Sequence, residues 1–360
     1  MPSLLFSPFS CRSVVMKNRV GVAPMCQYSA QGGMPNAWHV VHLGSRAVGG
    51  AGLVMVEAAA VAPDGRITSA DIGIWTQEQA DAFRPITDFA KEQGAVPGIQ
   101  LAHAGRKGST QVPWEGRKMV SEESGGWETI APSAVRFNEE YPLPREMTEA
   151  DMERVIDHYV QAAKRSASAC FEVLELHMGH GYLLHQFLSP LANRRAGDYG
   201  GGFDQRTAFP LRLIEAVRGE WPAHLPLFVR LSAVDWVDGG WDLDQSIQFA
   251  RALRARGVDL IDCSSGSILP SARGKAVPNF QVPFAAEIRQ RAGIATAAVG
   301  LITEAQQAEE ILASGQADLI FVGRKALAEP YWPLRAQQEL EGKANWPIQY
   351  DRAVNPNALV

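Results

Sequence analysis

Residues 171–182 read FEVLELHMGHGY, a mostly apolar run that passes directly into two histidines, two glycines and a tyrosine. Runs that are apolar throughout, rather than alternating with polar residues, are typical of parallel strands covered on both faces. Seven more such runs occur along the chain: Arg19–Pro24, Gly52–Ala58, Ala95–Leu101, Pro226–Ser232, Val258–Ser264, Ile294–Val299 and Ala317–Gly323. The sequence therefore predicts eight strands, of which Phe171–His177 is the fourth.

Helical segments with recognisable ends lie between these strands. Residues 148–151 (TEAD) and 303–306 (TEAQ) each open an amphipathic segment in the manner of a capped helix, and the second segment stops at Gly315. No GxGxxG turn, which often marks a doubly wound sheet, follows the first strand. Eight β/α units without a second sheet predict a single (β/α)8 TIM barrel domain over residues 1–360.

Two segments fall outside the alternation of strands and helices. Residues 3–17 are predicted to form a β-hairpin that closes the barrel floor. Residues 106–147, after the third strand, are rich in proline, glycine and tryptophan and are too long for a simple connector. We interpret them as a capping insertion over the barrel mouth, and a solvated surface insertion is the alternative.

Composition excludes several classes of function. The net charge of −5 without a basic run disfavours nucleic-acid binding, and no apolar stretch approaches the ~20 residues that cross a bilayer. Without a cationic leader the chain is predicted to be cytoplasmic and free of membrane. The four scattered cysteines form no CxxC pair, which disfavours an iron–sulfur cluster, a structural zinc site and a disulfide framework.

Barrel enzymes carry their catalytic groups just after the C-terminal ends of the strands. Polar and small residues collect at those positions here: Cys26, Tyr28, Ala58, Gln100, His103, Arg106, Lys107, His177, His180, Tyr182, Arg230, Gly300, Gly323 and Arg324. The glycines after the seventh and eighth strands, with Arg324 beside them, predict a phosphate site, and ordinary tight turns are the alternative.

The histidine segment admits three interpretations. In the first, His177 and His180 are metal ligands. In the second, backbone carbonyls satisfy both rings. In the third, the two rings are paired hydrogen-bond donors to an oxygen that gains negative charge during a reaction. Gly179 and Gly181 predict a loop that would hold both rings loosely, which disfavours a metal site and favours the third interpretation, and Tyr182 then supplies a proton. Cys26 is either a small buried hydrophobe or a nucleophile that needs an activating base.

The sequence resembles the old yellow enzyme family from the first strand to the C-terminus. The matching segments are 18–19 (NR), 23–28 (APMCQY), 38–39 (WH), 56–58 (VEA), 100–107 (QLAHAGRK), 177–182, 186–190 (QFLSP), 193–195 (NRR), 198–201 (DYGG), 299–302 (VGLI) and 323–324 (GR). Cys26, where other members carry threonine, and the ending PIQYDR at 347–352 resemble the bacterial thermophilic-like subclass, which includes xenobiotic reductases.

This resemblance implies FMN across the barrel mouth, with its phosphate at Gly300, Gly323 and Arg324. Gln100 and Arg230 are then expected at the polar edge of the isoalloxazine, and Cys26 beside its reactive nitrogen. The residues expected around the cofactor are Ala23, Pro24, Met25, Cys26, Ala58, Gln100, His177, Arg230, Val299, Gly300, Gly323 and Arg324.

The resemblance also implies an NAD(P)H-dependent ene-reductase that reduces activated alkenes by ping-pong hydride transfer. His177 and His180 are expected to hold the substrate oxygen, Tyr182 to donate the proton, and Tyr28 and Lys107 to line the pocket. Arg352 is expected to reach into the active site of a neighbouring subunit in a homodimer or a dimer of dimers.

Some features leave the resemblance open to other interpretations. Gln205 stands where the family usually carries asparagine, and the chain continues to Val360, beyond the usual stop. Three other functions stay possible at this level: a metal-dependent hydrolase using His177 and His180, a flavin-binding redox sensor switched by Cys26, and a barrel without catalytic activity that serves as a binding surface.

Overall fold

The computed structural model describes residues 3–354. Its strands are β1 Phe9–Cys11, β2 Val14–Met16, β3 Val20–Val22, β4 Leu53–Ala60, β5 Val96–Ala102, β6 Ile130–Ala131, β7 Arg145–Glu146, β8 Val173–Met178, β9 Leu227–Ser232, β10 Leu260–Ser264, β11 Ala295–Ala298 and β12 Leu319–Val322. Its α-helices are α1 Ala37–Val48, α2 Gln77–Glu92, α3 Glu149–Ser168, α4 Leu183–Leu188, α5 Phe203–Glu220, α6 Leu243–Ala255, α7 Val282–Ala292, α8 Ala305–Ala313, α9 Arg324–Ala328, α10 Trp332–Glu341 and α11 Asp351–Val354.

Eight parallel strands close into a barrel in the order β3-β4-β5-β8-β9-β10-β11-β12, with β12 paired back onto β3. Each strand falls on one of the eight apolar runs, so the predicted (β/α)8 barrel is confirmed. The barrel strands are mostly buried along their whole length, because their side chains face either the barrel interior or the surrounding helices. As predicted, α3 begins after Thr148, whose hydroxyl accepts from Asp151 N–H.

The N-terminal hairpin closes the lower end of the barrel, as the sequence predicts. β1 and β2 pair antiparallel, and the inward-facing residues of β2 are buried while Val15 between them is exposed. Val14 and Met16 belong to an apolar cluster with inward side chains of the barrel strands: Leu53, Met55, Val96, Val173, Phe228, Leu260, Ala297, Leu319 and Phe321. Water is thereby excluded from the floor, and polar chemistry is restricted to the opposite rim.

The insertion after β5 consists of three single-turn 3-10 helices, at Gly105–Lys107, Pro113–Glu115 and Glu122–Ser124, and the short pair β6 and β7. The buried Arg106 guanidinium ties it to the barrel by donating to the carbonyl oxygens of Ile268 at 2.5 Å and Val135 at 3.2 Å. The single-domain organisation of residues 1–360 stays a prediction, since residues 1–2 and 355–360 lie outside the described part.

We predict that Met16→Ala lowers the free energy of unfolding by about 2–5 kcal/mol, because it removes a buried side chain from the barrel floor. Met16 is 0% exposed, whereas its neighbour Val15 is 61% exposed. Val15→Ala is therefore the matched control and should change stability by less than about 0.5 kcal/mol. Urea unfolding followed by tryptophan fluorescence measures both, and equal effects would show that the hairpin does not fill the floor.

Candidate active site

A groove with about 870 Å³ of empty space crosses the C-terminal rim of the barrel. Its walls come from the ends of the first, fourth, fifth, sixth, seventh and eighth barrel strands and from the loops that follow them. The lining residues are Ala23, Met25, His180, Arg230, Ser264, Ser265, Ser267, Phe280, Gln281, Val299, Gly300, Leu301, Ile302, Thr303, Phe321, Gly323, Arg324 and Lys325. Eight of the predicted site residues thus share one groove.

The remaining predicted residues lie around this groove. Tyr28, Lys107 and Tyr182 line a second cavity beneath the cap, and Ala58 lines a small third one that also includes Tyr182. Pro24, Gln100 and His177 are buried beside or below the groove. Arg352 lies exposed in α11 and lines none of these three cavities.

One end of the groove has the features of a phosphate cradle. Gly300 has a φ of 128°, which disfavours any residue with a side chain. A Cβ at Gly323 would meet only the Met25 Sδ, at 3.7 Å, and would otherwise project into open space. Among the residues with described side chains, no carboxylate lies within 4 Å of the Arg324 guanidinium. Backbone and cation are therefore available to an anionic group, which fits a nucleotide-type phosphate.

The barrel interior below the groove carries a buried polar layer. Arg230 Nε lies 2.9 Å from an Asp262 carboxylate oxygen without the alignment of a hydrogen bond, so this N–H is free to meet another acceptor. Gln100 donates to Glu175 at 2.8 Å. Burial raises the pKa of Glu175 to about 8, which keeps that carboxyl protonated at neutral pH. A buried cation open to the groove suits the electron-rich edge of a reduced flavin.

The two imidazoles are joined in a directed chain. Gly179 N–H donates to His177 Nδ1 at 3.1 Å, which leaves Nε2 as the protonated nitrogen of the neutral ring. That nitrogen lies 3.2 Å from His180 Nδ1, and His180 Nε2 lies 2.6 Å from the Ser264 hydroxyl. Both histidines therefore carry an Nε2 proton at the edge of the groove.

The loop that holds these rings is fixed by its backbone. Gly181 has a φ of 74°, and a Cβ there would lie 2.3 Å from the Ser267 carbonyl oxygen, so only glycine fits. Its N–H donates to His185 Nδ1 at 2.9 Å, and His185 Nε2 lies 3.0 Å from buried Asp235. This arrangement holds the two histidines in place and rules out the loose loop that glycines suggested.

Burial decides the protonation of the reacting groups. It lowers the pKa of His177 and His180 well below the usual value, with Arg230 adding to the effect, so both rings are neutral donors. Burial also raises the pKa of Tyr182 well above its usual value, which keeps the phenol protonated. The Cys26 thiol is affected in the same way by burial and by nearby Glu57, so it does not form a thiolate.

Sequence reasoning missed ten of the eighteen residues that line the groove, and two of these, Ser264 and Gln281, make hydrogen bonds within the site. Ser264 ends β10, the sixth barrel strand, and the strand-end rule that identified the other groups would also have found it. Gln281 comes from the loop before α7 and joins the Ser264 and Ser265 hydroxyls to the Val299 carbonyl. No local sequence pattern marks such a residue, since its position depends on how a long loop folds back.

Two properties of the described residues bear on the alternatives. No group of three or more histidine, cysteine, aspartate or glutamate side chains in the described part is arranged to hold a metal ion. None of the described helices is long and apolar enough to span a membrane.

The barrel, its glycine-lined phosphate cradle and the buried cation beside it define a (β/α)8-barrel flavin oxidoreductase. The model of the NADH:flavin oxidoreductase / NADH oxidase family matches residues 4–343. NADPH dehydrogenases of Geobacillus thermodenitrificans (strain NG80-2) and Bacillus subtilis (strain 168) are 45% and 43% identical, each over 98% of this chain and 99% of the relative.

Among solved structures, morphinone reductase is 25% identical with a TM-score of 0.79, over 96% of this chain and 92% of that one. The old yellow enzyme homologue from Zymomonas mobilis is 25% identical with a TM-score of 0.78, over 96% and 95%. The chain belongs to the NADH:flavin oxidoreductase / NADH oxidase family, of old yellow enzyme type. Its cofactor is FMN, and NAD(P)H is the reductant.

Proposed function

We propose that the protein is an ene-reductase that reduces the carbon–carbon double bond of α,β-unsaturated carbonyl or nitro compounds. Gly300, Gly323 and Arg324 would hold the phosphate of FMN, and Gln100 and Arg230 would lie at the polar edge of its ring. When bound there, FMN would supply ping-pong hydride transfer from NAD(P)H to the β-carbon of the alkene. The observation that carries the proposal is the pair of neutral imidazole donors beside a protonated phenol at the edge of the groove. A free cysteine set and a nicotinamide reductant are consistent with the predicted cytoplasmic location.

His177 and His180 supply the oxygen-binding part of this mechanism. Hydride addition to the β-carbon places negative charge on the carbonyl or nitro oxygen, and donors aimed at that oxygen lower the barrier. The Nε2 protons now directed at His180 and at Ser264 would turn to this oxygen when substrate enters. Because both rings are neutral, they donate hydrogen bonds without giving up a proton.

Tyr182 is the proposed proton donor to the α-carbon. Its ring packs edge-on against His177 with centroids 5.1 Å apart, and it borders both the cap cavity and the small cavity that Ala58 lines. Lys107 Nζ lies 5.1 Å from the Tyr182 ring centroid, and such a cation favours the phenolate that is left after proton transfer. Tyr28 closes the same cavity, while the protonated Cys26 thiol is assigned to tuning the flavin rather than to nucleophilic attack.

We also propose a homodimer formed through the outer face of α1. Trp38, Val41 and Leu327 are 55%, 68% and 42% exposed and surround one apolar hollow. Trp38 Nε1–H donates to Gln27 at 3.1 Å, so this face adjoins the loop that carries Cys26 and Tyr28. A second subunit docked here lies close to the active site, which is where the resemblance places the partner's Arg352.

We predict that His177→Ala and His180→Ala each lower kcat for reduction of cyclohexenone by about 10²–10³, the usual cost of one lost donor to a developing oxyanion. Stopped-flow kinetics of the two half-reactions measures the loss. Reduction of the flavin by NADPH should change much less, because that step builds no charge on the substrate oxygen. Wild-type reduction of the enone by both variants would refute the assignment.

For Tyr182→Phe we expect a slower half-reaction with enone and an unchanged half-reaction with NADPH, because only the former needs a proton at carbon. Stopped-flow absorbance of the flavin follows both steps separately. Tyr199→Phe, which removes a hydroxyl bonded to Arg212 outside the three cavities, is the control and should alter neither. Equal slowing of both half-reactions by Tyr182→Phe would contradict the donor role.

Val41→Glu is predicted to convert the dimer to a monomer, because it places charge in an apolar interface. Val15→Glu puts the same change on an exposed valine at the opposite end of the barrel and should leave the dimer intact. Sedimentation velocity distinguishes the two states. A wild-type protein that sediments as a monomer would overturn the proposed assembly.

A further inference from the structure

A second cavity lies beneath the cap, next to the groove and sharing Tyr182 with the reaction site. About 290 Å³ of empty space, part of it open to solvent, lies within it. Its lining is mostly polar, with Ile67 and Pro113 as its apolar members, and its hydroxyls and cations come from Tyr28, Thr68, Lys107, Thr110, Arg117, Tyr141 and Tyr182. The reaction described above uses Tyr182, Tyr28 and Lys107 from this set and gives no role to Arg117.

Lys107 extends its amine into this cavity without a carboxylate partner. Its ammonium donates to the His180 carbonyl at 2.8 Å and lies 4.5 Å from the Phe137 ring centroid. Among the residues with described side chains, no aspartate or glutamate oxygen lies within 4 Å of Lys107 or Arg117. The pKa of Lys107 is lowered to about 7. Burial is the largest cause, and the positive charges of Arg106, Arg117 and Arg273 add to it.

Arg117 closes the outer side of the cavity from a defined loop. Gln111 N–H donates to the Lys118 carbonyl at 2.8 Å, which closes the loop between them. Arg117 itself has a φ of 59°, a left-handed conformation that is uncommon for a residue with a long side chain. The next residue, Lys118, carries the same charge but does not line the cavity. The loop thus presents one specific cation to the cavity.

The accumulation of unpaired cations is local, because the chain as a whole has a net charge of −5. Burial of the Lys107 cation is costly unless an anion meets it, whereas Arg117 is exposed at the outer side, and a carboxylate that accepts from both offsets the cost for the lysine. The polar lining suits a carboxylate attached to the reacting alkene, since Tyr182 belongs both to this cavity and to the proposed reaction site. A carboxylate there would also raise the pKa of Lys107 and so keep it charged.

We propose that the cavity under the cap binds the carboxylate of an anionic substrate, so that the preferred alkenes are unsaturated carbonyl compounds bearing a carboxylate. This inference rests on the proposed ene-reductase function and names its substrate class. Lys107 and Arg117 bind the carboxylate, and the carbonyl at the other end of the molecule reaches His177 and His180.

The test compares (E)-4-oxopent-2-enoate with its methyl ester, which differ in charge at one end of the same alkene. In the FMN-loaded enzyme, Arg117→Gln should lower kcat/KM for the acid about tenfold relative to the ester, mainly through KM. Lys118→Gln makes the same charge change on the adjacent residue and should leave the acid-to-ester ratio as in the wild type. Salt should raise KM for the acid and not for the ester.

A binding measurement independent of turnover uses the saturated pair 4-oxopentanoate and its methyl ester. Calorimetry should show tighter binding of the acid to the wild type, and Arg117→Gln should remove that preference. Reduction of the ester with no preference for the acid would overturn this inference and leave the ene-reductase proposal standing. Reduction of neither compound would remove both proposals together.

Two further outcomes would also overturn the carboxylate site. If the Arg117→Gln variant reduced the acid and the ester more slowly by the same factor, Arg117 would act on the shape of the loop rather than through its charge. Arg117→Gln could instead raise KM for NADPH while KM for NADH and the acid-to-ester ratio of kcat/KM stay unchanged. That result would assign the cations to the 2′-phosphate of the coenzyme.

Discussion

Arg230 places its guanidinium inside the barrel, 2.9 Å from Asp262, and the charges of the active site follow from that placement. A cation in a desolvated interior needs a nearby anion, which Asp262 supplies. The same cation lowers the pKa of the two histidines further than burial alone, so they stay neutral. The protein therefore keeps one fixed positive charge below the groove and neutral donors at its edge.

This distribution suits a reaction that moves negative charge from the cofactor to a substrate oxygen. The interior cation favours the reduced flavin, and the imidazole donors favour the oxygen that receives the charge afterwards. The two histidines therefore keep the same protonation state throughout the proposed reaction. In the proposed reaction the only group that gives up a proton is Tyr182, whose pKa is raised by burial and whose ring lies near Lys107 Nζ.

The local signals of the sequence were reliable where one strand or one turn decides the structure. Apolar runs predicted all eight barrel strands, and Gly300 marked a turn whose φ of 128° disfavours a side chain. Ser264 was predictable by the same rule but was overlooked at the end of the sixth strand. Gln281 and Arg117 were not predictable, because these residues lie in long loops whose course depends on contacts with the rest of the fold.

By itself the sequence determined the barrel, the hairpin under it and the set of polar residues at its rim, because strand periodicity and glycine positions are local properties of the chain. The tertiary structure alone decided which of those residues meet and what charge they carry. His177, His180 and Ser264 form a chain only because β8 and β10 end at the same rim, on either side of β9. The protonation of these groups depends on burial, and burial is a property of the packed molecule rather than of any segment.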